Sequence, residues 1–146
     1  MTLDRILEGC GVISVEGNVS IEIKAVCNDS RKVVRGALFV AVKGFASDGH
    51  SYIRTAVEKG AVAVIYEDQE TAGSQTEGVQ GLTMIKVESS RYALAIAAAN
   101  FYDNPSRKLT LVGITGTNGK TTTVTLLHRM FTALGYDCGL LSTIAN

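Results

Sequence analysis

The chain has 146 residues, 46% of them apolar and 19% charged, and its formal net charge at pH 7 is zero. That length suits one ordinary domain or a small domain with part of another, and a neutral chain offers no electrostatic case for a nucleic-acid partner. No apolar run approaches the roughly 20 residues that cross a bilayer, and the opening MTLDRILEGCG lacks the charged-then-apolar layout of a signal peptide. A cytoplasmic protein without membrane contact is expected. Cys10, Cys27 and Cys138 are widely spaced, with no C-x-x-C pair, and read as reduced, partly buried thiols. The two histidines are isolated, which leaves too few ligands for zinc.

In chain order, VISVEG (12–17) and SIEIKAV (20–26) read as short strands, the second alternating apolar and polar side chains. CNDSRKVVRG (27–36) is a polar loop. ALFVAVKG (37–44) is an apolar run of the kind buried on both sheet faces. SDGHSYIRTAVEKG (47–60) reads as a helix, with Asp48 as N-cap, His50 in the first turn on the surface, and Gly60 as the stop. AVAVIYE (61–67) is a further buried strand. DQETAGSQTEGVQG (68–81) is polar and glycine-bearing, hence a loop, and LTMIKVE (82–88) is another strand. SSRYALAIAAANFYDNP (89–105) predicts a helix apolar around nearly its whole circumference, the pattern of a helix buried between layers, ended by Pro105. KLTLVGIT (108–115) reads as a strand. A helix from about Lys120 to Leu134 follows, with Val124, Leu127, Phe131 and Leu134 on one stripe, and CGLLSTI (138–144) begins another strand.

Strand–helix alternation predicts an α/β fold with mostly parallel sheet. The expected organisation is a small N-terminal α/β domain over residues 1–88, followed over 89–146 by the truncated start of a P-loop-type parallel α/β ATPase domain.

Between the strand 108–115 and the next helix lies GTNGKTTT. A helix N-terminus behind a buried strand is an anion site, because its first N–H groups lack helical partners and the helix dipole is positive there. Gly116 and Gly119 allow the backbone to curl around phosphate, Lys120 supplies charge for the β/γ-phosphates, and the Thr121 hydroxyl is suited to Mg²⁺. The general P-loop pattern places a glycine five residues before Gly119, where this chain has Ile114. No acidic partner for the metal follows except Asp137, in a turn. The expectation is therefore a fragment that is inactive by itself, its phosphate loop looser than in a complete domain.

GITGTNGKTTT resembles the ATP-binding signature of the Mur ligase family, whose own variant departs from the ordinary P-loop at the position of Ile114. The resemblance extends upstream through Asn28–Glu67 and through ANFYDNPSRKLTLVGITGTNGKTTT, and spans most of the chain. It implies an ATP- and Mg²⁺-dependent ligase of peptidoglycan synthesis, with small-molecule substrates. ATP phosphorylates a carboxylate of UDP-N-acetylmuramoyl-L-alanyl-D-glutamate, and the amine of a diamino acid attacks the acyl phosphate. By the same resemblance, Gly116, Thr117, Asn118, Gly119, Lys120, Thr121 and Thr122 hold ATP, with Lys120 catalytic and Thr121 on the metal. Asn28, Ser30, Phe45, Ala46 and Ser47 contact the UDP-sugar, and the UDP-sugar site is shared with the central domain, so the N-terminal part alone binds weakly. Two alternatives stand: the family's ligase that adds D-alanyl-D-alanine to the UDP-muramoyl tripeptide, and a non-catalytic nucleotide-binding module.

Overall fold

The computed structural model describes residues 1–44 and 47–143. The chain divides into two compact units, Met1–Lys108 and Leu109–Asn146.

The first unit is built on five strands: β1 (Val12–Glu16), β2 (Ala25–Cys27), β3 (Ala37–Val40), β4 (Ala61–Tyr66) and β5 (Thr83–Val87). Their order is β1-β5-β4-β3-β2, with β2 to β5 mutually parallel and β1 antiparallel on the β5 edge. The helices are α1 (Leu3–Leu7), α2 (Ile53–Glu58), α3 (Gln69–Thr76) and α4 (Ser90–Phe101). Strand side chains alternate between two faces, and both faces are covered. Leu38, Val40, Ala63, Ile65, Ile85 and Val87 pack with Leu3, Ile6, Cys10, Ala93 and Ala97 of the α1 and α4 side. Ala37, Phe39, Val64 and Tyr66 pack with Ile53, Ala56 and Ala72 of the α2 and α3 side. This explains why β3 and β4 read as continuous apolar runs: every position on them is buried except Val62, which is half-buried.

Three segments differ from the sequence reading. Residues 20–26 join the ladder only at Ala25–Cys27. The backbone of Ile21 and Ile23 serves the N-terminus instead, through Leu3 N–H to Ile21 C=O (2.9 Å) and Ile23 N–H to Met1 C=O (2.8 Å). The stretch 47–60 splits into a 3₁₀ turn, Gly49–Tyr52, and then α2; Asp48 caps the turn as expected, accepting from His50 N–H. Residues 68–81, expected as a loop, contain α3. Asp68 caps it by accepting from Glu70 and Thr71 N–H, and Ala72 is its one buried side chain. A helix that buries a single alanine leaves no hydrophobic period to detect.

Helix α4 forms where expected but is covered on one face only. Ser90, Ala93 and Ala97 are buried, while Tyr92 is 56% exposed. It ends at Tyr102 through left-handed Asp103 (φ 59°) and Asn104 (φ 48°), ahead of Pro105. The compact first unit continues through α4 to Lys108.

In the second unit α5 (Lys120–Ala133) forms as expected. The expected strands 108–115 and 138–144 do not, within the described residues. A strand exists only with a ladder partner, and here Leu111 is 90% and Leu141 83% exposed. Val124, Leu127 and Phe131 are half-buried, whereas Leu134 is 66% exposed. Phe131 meets Tyr136 edge to face at 5.8 Å.

Candidate functional site

In a parallel sheet, ligand clefts open beyond the carboxyl ends of the strands. Past β2 and β3 the first unit has such a cleft, of about 550 Å³. Its walls come from two segments. Asn28, Asp29, Ser30 and Arg31 follow β2, and Val42, Gly44, Ser47, Gly49 and Tyr52 follow β3.

The first wall is a 3₁₀ turn (Ser30–Lys32) capped by Asp29, whose Oδ1 accepts from Arg31 N–H at 3.0 Å. The Arg31 guanidinium closes on the same carboxylate in bidentate fashion, with Nε to Oδ1 and Nη2 to Oδ2 both at 2.9 Å. These hydrogen bonds from the Arg31 side chain, then its backbone, hold the Asp29 carboxyl down at about 2. Arg31 is 86% exposed and Asp29 25%, so the pair presents a fixed guanidinium at the rim. Between them Ser30 is buried, 8% exposed, and its hydroxyl has no hydrogen-bond partner among the described residues. A hydroxyl on the lining of a cleft, on a residue otherwise buried, is suited to a polar ligand.

The second wall is a narrow turn. It is closed by an antiparallel bridge between Lys43 and Asp48, by Gly44 N–H to Ser47 C=O (3.0 Å) and by Gly49 N–H to Val42 C=O (3.0 Å). Glycine is required at position 49, because a Cβ there would sit 2.7 Å from the backbone N and O of Val42. Of the residues expected to contact the UDP-sugar, Asn28, Ser30 and Ser47 are brought together in this cleft. Phe45 and Ala46 lie outside the described residues.

Sequence reasoning missed Tyr52, Gly49 and the Asp29–Arg31 clamp as cleft features, although the Asp-x-Arg spacing is visible. It also placed His50 on the surface. His50 is fully buried, with Nδ1 2.6 Å from Asp48 Oδ1 and Nε2 3.1 and 3.2 Å from the N–H nitrogens of Glu67 and Asp68. The Asp48 carboxyl is held below its usual range by the His50 backbone N–H and then, against some desolvation, by the His50 ring.

The second unit carries the glycine loop. Gly116 (φ 143°) and Gly119 (φ 77°) occupy backbone regions that favour glycine, and Gly119 immediately precedes α5. No side chain caps the helix. Its first helical bond is Thr123 N–H to Gly119 C=O at 2.9 Å, so the N–H groups of Lys120, Thr121 and Thr122 remain outside the ladder. Three free N–H groups at the positive end of a 14-residue helix form an anion cradle. Lys120 folds back over the loop, its Nζ donating to the carbonyls of Gly116 and Thr117. The ammonium thus lies beside the loop. Gly116, Thr117, Asn118, Gly119, Lys120, Thr121 and Thr122 thus form one continuous loop and first turn.

The Thr121 hydroxyl has no partner among the described residues; Thr125 bonds only its carbonyl, at 2.7 Å. That neutral hydroxyl fits a hard cation shared with phosphate oxygens. Among the described residues no cluster of three or more His, Cys, Asp or Glu side chains offers a self-sufficient metal site.

Residues 22–102 match the Mur ligase family, catalytic domain. The chain is 49% identical over 146 residues to the UDP-N-acetylmuramoyl-L-alanyl-D-glutamate–2,6-diaminopimelate ligase of Cytophaga hutchinsonii, covering all of this chain and 29% of that protein. Among solved structures, a crystal structure of MurF from Acinetobacter baumannii superposes with TM-score 0.64 at 24% identity, over 91% of this chain and 28% of that one, a likeness of fold alone. The MurF ligase of Thermotoga maritima, in complex with ADP, matches with TM-score 0.51 at 35% identity, over 75% of this chain and 23% of that one. The chain therefore spans under a third of the length of these relatives, and it belongs to the Mur ligase family.

Proposed function

We propose that this chain is part of an ATP-dependent ligase that adds the third amino acid, 2,6-diaminopimelate, to UDP-N-acetylmuramoyl-L-alanyl-D-glutamate in peptidoglycan synthesis. The observation that carries the reading is the 49% identity to a ligase of that printed specificity along the whole chain. The geometry supports it. The cleft beyond β2 and β3 holds the UDP-sugar, and the loop before α5 holds the phosphates of ATP.

In this reading Asn28, Ser30 and Ser47 bond the UDP-sugar, joined by Phe45 and Ala46, while the Arg31 guanidinium, fixed by Asp29, is placed to meet negative charge at the rim. The N–H groups at the start of α5 and the Lys120 ammonium neutralise charge on the transferred phosphoryl group, the part of phosphoryl transfer a protein can supply by positioning. ATP supplies the phosphoryl group that activates the substrate carboxylate for attack by the diamino acid. The Thr121 hydroxyl would hold Mg²⁺, which when bound would supply further charge neutralisation. Functionally, residues 1–88 serve the UDP-sugar and 89–146 begin the ATP-binding region. The protein works in the cytoplasm; among the described residues no helix is long and apolar enough to cross a membrane.

The test is ATP-dependent phosphate release by the complete gene product. Release with the UDP-muramoyl dipeptide and diaminopimelate, but not lysine, is the expected result. Release only with the UDP-muramoyl tripeptide and D-alanyl-D-alanine would move the assignment to the later ligase. No release from folded protein with any pair would leave a nucleotide-binding module. The 146-residue chain alone is expected to form no peptide bond.

A further inference from the structure

We infer that His50 is a positioning residue for the UDP-sugar, acting through the cleft wall that it ties down; this rests on the reading of the cleft given above. The ring is fully buried, yet every polar atom on it is used. Nε2 faces two backbone N–H groups, those of Glu67 (3.1 Å) and Asp68 (3.2 Å), so it must be the acceptor and carry no proton. The proton therefore sits on Nδ1 and is donated to Asp48 Oδ1 at 2.6 Å. One neutral tautomer satisfies all three partners at once.

Those partners belong to different parts of the unit. Asp48 closes the turn whose base is the Lys43–Asp48 bridge and whose residues Gly44, Ser47 and Gly49 line the cleft. Glu67 and Asp68 form the corner where β4 passes into α3. That corner is itself anchored: Asp68 caps α3, and Glu67 Oε2 accepts from Ser90 N–H at the start of α4, at 2.9 Å. His50 thus pins one wall of the cleft to the rigid end of the central sheet. It lines none of the cleft itself. Without the ring, the turn keeps its own internal bonds but loses its tie to the sheet, and the corner N–H groups lose their acceptor.

Two substitutions in the complete enzyme divide the ring's roles. In His50→Asn the amide N–H can still reach Asp48, but nothing reaches Glu67 and Asp68. In His50→Gln the amide oxygen can accept from the corner, but the bond to Asp48 is lost. The KM for the UDP-muramoyl dipeptide is expected to rise roughly tenfold in His50→Asn and less in His50→Gln, as misplacement of a binding wall weakens only the ligand it touches. The KM for ATP and kcat are expected to stay within about twofold in both variants. An unchanged KM for the UDP-muramoyl dipeptide in folded His50→Asn overturns the inference. So does an equal loss in all three parameters, which would mark a merely structural role. Should His50→Asn fail to fold, the same comparison in His50→Gln decides. Isothermal titration of the unaltered enzyme with the UDP-muramoyl dipeptide separates the two levels. If it binds and the variants bind equally well, only the role of His50 fails. If it does not bind, the cleft reading fails and this inference with it.

Discussion

The two units of this chain hold their candidate sites in opposite ways. In Met1–Lys108 the cleft opens beyond β3, a strand buried on both faces, and the half-buried β2, and its walls are tied by a bidentate ion pair, a backbone bridge and a buried histidine. In Leu109–Asn146 the glycine loop precedes a helix with no buried residue. The first site owes its shape to tertiary packing. The second owes its shape to local rules alone: two glycines, an uncapped helix start and a lysine reaching its own loop. A binding cleft assembled from distant segments needs a finished core, whereas a helix-terminus anion cradle is almost complete within a dozen residues.

The largest expected effect tests that contrast at the level of chemistry. Lys120→Ala in the complete enzyme removes the ammonium that lies beside the loop and is expected to lower kcat by roughly 10³-fold or more. The KM for the UDP-muramoyl dipeptide should barely change. Steady-state kinetics with each substrate varied in turn would check this; a loss confined to UDP-dipeptide affinity would tie Lys120 to the wrong site.

Next comes stability. Ile65, fully buried on the central strand β4, should lose about 2–5 kcal/mol on substitution by Ala. Leu127, half-buried on α5, should lose under about 1 kcal/mol. Urea unfolding of the 146-residue chain measures both. Comparable losses would mean that the second unit has a core of its own, and the contrast drawn here would collapse.

The same contrast explains what was legible in the sequence. Strands β3 and β4 were readable because nearly every position on them is buried, and β5 because its buried positions, Thr83, Ile85 and Val87, alternate with half-buried ones. The conformation of the loop before α5 was readable because glycines at fixed spacing, Gly116 and Gly119, take positive φ. The helix α3 was not, since its signal is one cap, Asp68, and one buried alanine, Ala72. Segments 108–115 and 138–144 have strand-like composition, but strand formation depends on a neighbour that composition cannot supply. His50 was misplaced because a polar side chain in a helix's first turn ordinarily faces water, and only the tertiary position of the Glu67–Asp68 corner reveals its acceptor role. Phe45 and Ala46 rest on the resemblance alone.

A smaller effect sharpens the description of the cleft. Ser30→Ala removes a cleft-lining hydroxyl with no partner among the described residues, so folding stability should change little. The KM for the UDP-muramoyl dipeptide should rise by about 5- to 10-fold, the worth of roughly one hydrogen bond. A clear loss of stability with unchanged KM would instead make Ser30 a structural turn residue.

The smallest effect is chemical reactivity, and it sets the units against each other within one molecule. Cys10 is 1% exposed, its Sγ facing the carbonyls of Ile6 (3.3 Å) and Ala93 (3.7 Å), and burial pushes its thiol up to about 11. Cys27 is half-buried and raised, chiefly by desolvation and then by the Asp29 carboxylate. Cys138 is exposed. Only the thiolate attacks an alkylating agent, so iodoacetamide at neutral pH should label Cys138 first and Cys27 more slowly. Cys10 should be labelled only as fast as the first unit opens. The linkage has a definite sign. A thiol whose folded value is raised stabilises the fold fully below its unfolded value, near ~8.5, and that contribution drains away as pH climbs toward about 11. The first unit should therefore lose stability across that alkaline window, and Cys10→Ala should flatten the loss. Labelling of Cys10 at the pace of Cys138 would show that the packing of α1 against α4 is as open as the second unit, and the comparison of a closed and an open half would fail at its firmest point.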